Sequence, residues 1–249
     1  MLEDNYKIEI YHDKIDWLKA RCIGGTDLAK LVDKVAKWGN FIDLYDKLVY
    51  GEEQEIIENE LMIKGKKSEE NIKNLFLINH PELKRINPEN ELWLVRRKDY
   101  PEITLSPDTL VKKADDLGYI EIKYKEIYNE DNIPDYMIYL KEREPQYYWQ
   151  NVDYFISMNN LKFGYLVIAF AVMKKNKETG IWEFDKYIID SLYMTREYLK
   201  NDIDLGEKNL IDFIENNLRP KIRPKTKLKG LEEEKIEWSK LSNIVQLRR

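Results

Sequence analysis

Ser106-Pro-Asp108-Thr-Leu-Val-Lys-Lys-Ala-Asp-Asp-Leu-Gly118-Tyr-Ile-Glu121-Ile-Lys123 reads as a β-hairpin, with apolar flanks, a polar middle and Gly118 near the second strand. Side chains alternate along a strand, so Ile120, Ile122 and Tyr124 share one face, and Glu121 and Lys123 share the other. An otherwise apolar strand has no structural use for that pair of charges. A hairpin that carries Asp108 to Glu121 and Lys123 gathers two acids and an amine, enough to hold Mg²⁺ and steer a water molecule. That is minimal equipment for cutting a phosphodiester.

The regions around the hairpin read as an α/β chain with helices before, between and after a mixed central sheet. Residues 13–50 read as two helices broken at Cys22-Ile-Gly-Gly-Thr-Asp27, with Thr26 or Asp27 as cap of the second. A further helix is expected over 53–77, and strands over Leu92–Arg96, Ile103–Leu105 and Tyr119–Lys125. Pro145 opens a helix to about Met158. Strands Phe163–Met173 and Trp182–Ile189 follow, then a helix over 195–217. One domain over 1–249 is expected, with its core at about 13–217 and a tail at 218–249.

Composition narrows the chemistry. The single Cys22 excludes a disulfide framework and any four-cysteine cluster, and His12 and His80 stand far apart. A metal would be held mainly by carboxylates, which favours Mg²⁺ or Mn²⁺. The longest apolar run, Tyr165 to Met173, is too short to span a bilayer, and the acidic N-terminus is unlike a signal peptide. A cytoplasmic protein is expected. The net charge of −5 argues against nucleic-acid binding, but every second residue from Arg219 to Lys229 is basic. That strip fits either phosphate neutralisation or a solvated tail balancing Glu232, Glu233 and Glu234.

Met62, Gly65, Glu69, Ile72 and Phe76 step by three and four residues, placing Glu69 in the middle of a core-facing helical stripe. A charge there is costly unless paired or metal-bound; the alternative puts Glu69 at the stripe's edge beside a lysine. Glu70 falls off the stripe, toward solvent. Arg21 beside Gly24-Gly25-Thr26 fits an anion site with free backbone N–H groups, or equally a plain joint between helices. Tyr147, Gln150 and Tyr154 share a helix face and could line a groove or pack as core.

In this order the motifs resemble the phage-type alkaline exonucleases, the YqaJ-like viral recombinase branch of the PD-(D/E)XK nucleases. The matched pieces are Trp17-Leu-Lys-Ala-Arg21-Cys-Ile-Gly24-Gly25-Thr26-Asp27, Gly65-Lys-Lys-Ser-Glu69, Ser106-Pro107-Asp108, Tyr119-Ile-Glu121-Ile-Lys123, and Tyr147-Tyr-Trp-Gln150 leading to Gly164-Tyr-Leu-Val. The resemblance implies Glu69, Asp108, Glu121 and the Ile122 carbonyl as metal ligands for paired Mg²⁺ ions, with Mn²⁺ as a substitute. It implies Lys123 and Gln150 as catalytic residues, with Tyr147 beside them, and Arg21, Thr26 and Ser106 as the 5′-phosphate pocket. It further implies 5′→3′ digestion of double-stranded DNA ends for phage-type recombination, a strand-annealing partner, a homotrimer and a phage or prophage origin in a bacterial host. Two positions depart from the pattern. Thr109 stands where the family has glycine, and beyond Lys123 no arginine occurs before Arg143, leaving Lys125 as the substitute. A related endonuclease and a non-catalytic DNA binder on the same fold are the competing readings.

Overall fold

The hairpin closes at Ala114–Asp115, where Lys113 pairs with Asp116. The computed structural model describes residues 4–33, 35–36, 39–50, 59–87 and 91–219. The chain starts with β1 (Tyr6–Tyr11), α1 (Lys14–Ala20), α2 (Asp27–Val32), β2 (Val35–Ala36), β3 (Gly39–Asn40) and α3 (Phe41–Tyr45). Next come α4 (Glu60–Asn79), β4 (Leu83–Arg85), β5 (Leu92–Arg97), β6 (Thr104–Leu105), β7 (Thr109–Lys113) and β8 (Asp116–Ile127). After α5 (Ile133–Ile138), α6 (Leu140–Arg143) and α7 (Pro145–Ser157) run β9 (Leu161–Lys175), β10 (Trp182–Thr195) and α8 (Lys200–Phe213).

The main sheet has the order β10-β9-β8-β7-β4, and only β8 and β9 run parallel. A parallel pair needs a long crossover, and residues 128–160 supply it with α5, α6 and α7. β9 is a nearly unbroken apolar run because both its faces are covered. On one face Ile72 and Phe76 of α4 pack on Val111, Ile120, Ile122 and Val167. On the other, Trp149, Val152 and Phe155 of α7 pack with Tyr119, Leu166, Ile168 and the smaller sheet β1-β5-β6. This is the mixed α/β architecture expected, with β8 at its centre.

Three boundaries differ from the sequence reading. The helix expected from Asp27 toward residue 50 stops at Val32; Gly39, at φ 108°, closes a two-stranded turn, and Asn40 with Asp43 forms a capping box that starts α3 anew. The helix expected over 53–77 begins at Glu60, capped by Asn59, and residues 51–58 lie outside the described residues. β10 extends past Ile189 to Thr195, so the last helix starts at Lys200. The chain divides into Met1–Arg219 and Pro220–Arg249, and the second part lies outside the described residues, with all of the basic strip beyond Arg219. Arg219 itself grips the Glu102 carboxylate with two nitrogens, at 2.7 and 2.8 Å. Among the described residues no helix is long and apolar enough to cross a membrane.

Candidate active site

Strand β7 begins opposite Ile120, so beyond that point one edge of β8 has no strand partner from β7. Asp108, the residue before β7, occupies that edge. Its Oδ2 accepts the Ile122 N–H at 2.7 Å, and its own N–H donates to Glu121 Oε2 at 3.4 Å. The carbonyl of a strand residue leaves the same edge as its N–H, so the Ile122 carbonyl faces this side too. Thr109 sits in extended β7 with no positive φ, so the glycine of the family pattern is not needed there.

Alternation along β8 brings Glu121 and Lys123 under α7. Glu121 is 2% exposed. Its Oε1 accepts from Lys123 Nζ at 2.6 Å and from Gln150 Nε2 at 2.8 Å; its Oε2 accepts from the Tyr154 hydroxyl at 2.7 Å. Gln150 Nε2 also donates to Tyr154 at 2.8 Å, and the Lys123 ammonium lies 5.2 Å from the Tyr147 ring centre. The helical spacing of three and four thus places Tyr147, Gln150 and Tyr154 on one charged strand face. Tyr154 is both core and ligand to Glu121, which joins the two readings of that helix face.

Glu69 is half-buried on α4. Burial raises its carboxyl, Lys73 offsets that, and Glu121 raises it further. Glu70 is not merely solvated, for it accepts from buried Lys73 at 2.7 Å and from Arg85 at 3.2 Å. Burial, with repulsion from Glu121 and Glu69, holds Asp108 well above the usual carboxylate range. Burial alone would lower the Lys123 ammonium, but Glu121 and Asp108 outweigh it and the pKa is raised. Lys123 is therefore a protonated donor and not a base.

Among the described residues no three His, Cys, Asp or Glu side chains are already drawn around one ion-sized point. The donor chemistry nevertheless fits a hard divalent cation: the donors are oxygens, and the mutual repulsion at Asp108 and Glu69 marks negative charge that a cation would relieve.

The three residues expected at a 5′-phosphate come from separate segments. Exposed Arg21, at the end of α1, stacks on Trp17, 4.7 Å from its ring centre. Trp17 Nε1 and the Ser106 hydroxyl both donate to the Trp93 carbonyl, at 3.0 and 2.6 Å, which ties the Arg21 side to the Ser106 side. Thr26 is the first residue of the α2 cap, and its hydroxyl makes no capping bond. The expectation of free N–H groups at the glycine pair is corrected: Gly24 N–H donates to Asp27 Oδ2 at 3.4 Å and Gly25 N–H to Asp153 Oδ2 at 3.1 Å. Lys125 does not replace the missing arginine as a free cation, because it is bonded to buried Glu144 at 2.8 Å.

Asp153 escaped the sequence reading, although it stands three residues after Gln150 and one before Tyr154. Burial, with Asp27 adding repulsion, raises its carboxyl to about 7, against bonds from Ser157 and Gly25. A carboxyl raised on folding binds its proton more tightly in the folded state, so its contribution to stability is full below its unfolded value. It is lost as pH rises through about 7. The stability of Asp153→Asn relative to the parent should therefore rise between pH 4 and pH 8, by up to roughly 4 kcal/mol. Urea unfolding of both proteins across that range checks it; a pH-independent difference refutes it.

No family model matches the chain, and no curated protein matches its sequence. Among solved structures, the alkaline exonuclease LHK-Exo from Laribacter hongkongensis superposes with a TM-score of 0.52 at 18% identity, covering 80% of this chain and 92% of that one. Its complex with dAMP gives 0.49 at 16% identity, covering 79% and 89%. A phage-related exonuclease from Haemophilus somnus 129PT gives 0.46 at 14% identity, covering 81% and 98%. The chain has the fold of the first of these, the PD-(D/E)XK α/β architecture of the alkaline exonucleases.

Proposed function

We propose that this protein is a metal-dependent exonuclease that degrades linear double-stranded DNA from its 5′ ends. The observation that carries this reading is the bonded set Glu121–Lys123–Gln150–Tyr154 on one strand face, with Asp108 at the adjoining strand edge. The residues that would hold Mg²⁺ or Mn²⁺, as one ion or two, are Glu69, Asp108, Glu121 and the Ile122 carbonyl. Such ions supply an activated water and neutralise charge on the phosphate. Lys123, kept protonated, orients the attacking water and offsets charge gathering on the phosphate oxygens. Gln150 and Tyr154 hold Glu121 in place, and Tyr147 flanks the ammonium.

Arg21, Thr26 and Ser106 are assigned to the 5′-phosphate, with Arg21 supplying the forked charge. The 5′→3′ direction, the recombination role with a strand-annealing partner, and a homotrimeric assembly complete this reading by resemblance. Linear and covalently closed circular duplexes incubated with the protein and Mg²⁺ test it. Acid-soluble nucleotides from the linear form alone are expected. Nicking of closed circles would replace the proposal with an endonuclease, and retention without cleavage would leave a DNA binder. Arg21→Ala should reduce the preference for 5′-phosphorylated over 5′-hydroxyl ends by about tenfold. An unchanged ratio of initial rates would move the phosphate pocket elsewhere.

A further inference from the structure

The Gly24–Gly25 turn is held from two sides. On one side, Ile23 forms a parallel bridge to Ile103 and its carbonyl accepts the Thr104 N–H at 2.7 Å, while Cys22 N–H donates to Thr104 Oγ1 at 2.8 Å. Gly24 lies so close to β6 that an added Cβ would fall 1.6 Å from the Thr104 carbonyl oxygen. That is the strand leading directly into Ser106 and Asp108. On the other side is α7. Gly25, at φ 58°, faces the Gln150 side chain, and a Cβ there would stand 3.8 Å from Gln150 Nε2. The Asp153 carboxylate, one turn further along α7 and 1% exposed, accepts the Gly25 N–H at 3.1 Å.

Among the described residues no cation is bonded to Asp153. Its other oxygen, Oδ1, accepts from Ser157 Oγ at 3.2 Å, while Asp27 from α2 repels it and Arg97 from β5 attracts it at longer range. A carboxylate buried on two neutral donors is costly, and an apolar side chain would pack a helix interior more cheaply. What an apolar residue could not do is accept the Gly25 amide.

We propose that Asp153 is a positioning residue: through the Gly25 N–H it fixes the turn between Arg21 and Thr26 against α7, at a set distance from Gln150 and Glu121. This rests on the assignment of Arg21 and Thr26 to the DNA end. The turn then has one register relative to the cleavage site, so that a phosphate held at one end places the scissile bond at the other.

Steady-state cleavage of 5′-phosphorylated and 5′-hydroxyl linear duplex by the full chain tests this, with Asp153→Ala and Asp153→Asn compared with the parent. Asp153→Ala should raise KM for the phosphorylated end about tenfold with kcat within about twofold, and should lose most of the end preference. Asp153→Asn retains an acceptor oxygen and should restore both to within about threefold of the parent. Melting temperatures of all three establish that each is folded. Equal losses in both variants, or a fall in kcat at constant KM, would overturn the proposal. So would an active parent whose Asp153→Ala variant keeps both KM and end preference. A parent protein that degrades no linear DNA overturns the proposed function, and this proposal with it.

Discussion

Asp108→Ala is expected to abolish cleavage of linear duplex DNA, by roughly a thousandfold or more, in a protein that melts no earlier than its parent when both are free of divalent cations. The loss follows from removing the carboxylate at the strand edge between Glu121 and the Ile122 backbone, a loss of several kcal/mol of transition-state stabilisation. The retained stability follows from electrostatics. Burial first, then repulsion from Glu121 and Glu69, raises the Asp108 carboxyl, so the folded protein gains when that charge is removed. Against this stands one lost hydrogen bond, from Ile122 N–H, which leaves a donor unmet at about 1–3 kcal/mol. Asp108→Asn keeps that acceptor and, without divalent cations, should melt higher than the parent while remaining inactive.

Lys123→Ala provides the contrast. Cleavage should also fall about a thousandfold, but Glu121 would lose the only cation bonded to it among the described residues while staying buried. Breaking one side of such a pair costs about 3–5 kcal/mol, so this variant should unfold at lower urea than either Asp108 variant. Assays of turnover beside urea or thermal melts separate the two. Near-parental turnover in Asp108→Ala would remove the site assignment altogether.

Divalent cations carry the second large effect. Chelation with EDTA should eliminate cleavage and Mg²⁺ should restore it. Mg²⁺ should also raise the melting temperature of the parent, because a ligand bound only by the folded state stabilises it by about 2.7 kcal/mol at a hundredfold over Kd. For a chain of this size that corresponds to roughly 5 °C or more. Asp108→Ala should show little of this rise. Full activity in EDTA, or an equal Mg²⁺ shift in both proteins, would place the metal elsewhere or dispense with it.

Two local periodicities made most of the site legible. A period of two along β8 put Glu121 and Lys123 together, and steps of three and four put Tyr147, Gln150 and Tyr154 on one face of α7. These patterns hold wherever the chain goes, because they are properties of the backbone alone. The same rule marked Glu69 as a charge misplaced on an apolar stripe. What periodicity could not give was the partner of each charge. Lys125 alternates in step with Lys123, yet one is bonded to Glu121 and the other to Glu144. Glu70 is exposed, as its place off the stripe implied, but its partner Arg85 comes from β4.

By itself the sequence singled out the candidate acids, lysine and glutamine, the strand and helices that present them, and the α/β class. The tertiary structure alone decided which donors and charges remain available. Gly25 meets Asp153 across 128 positions, Arg219 meets Glu102 across 117, and Trp17 and Ser106 meet at a Trp93 carbonyl that belongs to neither segment. The reason is physical. Side-chain direction is fixed by dihedral angles within a few residues, whereas a buried polar group takes its partner from whatever segment the packed core lays beside it.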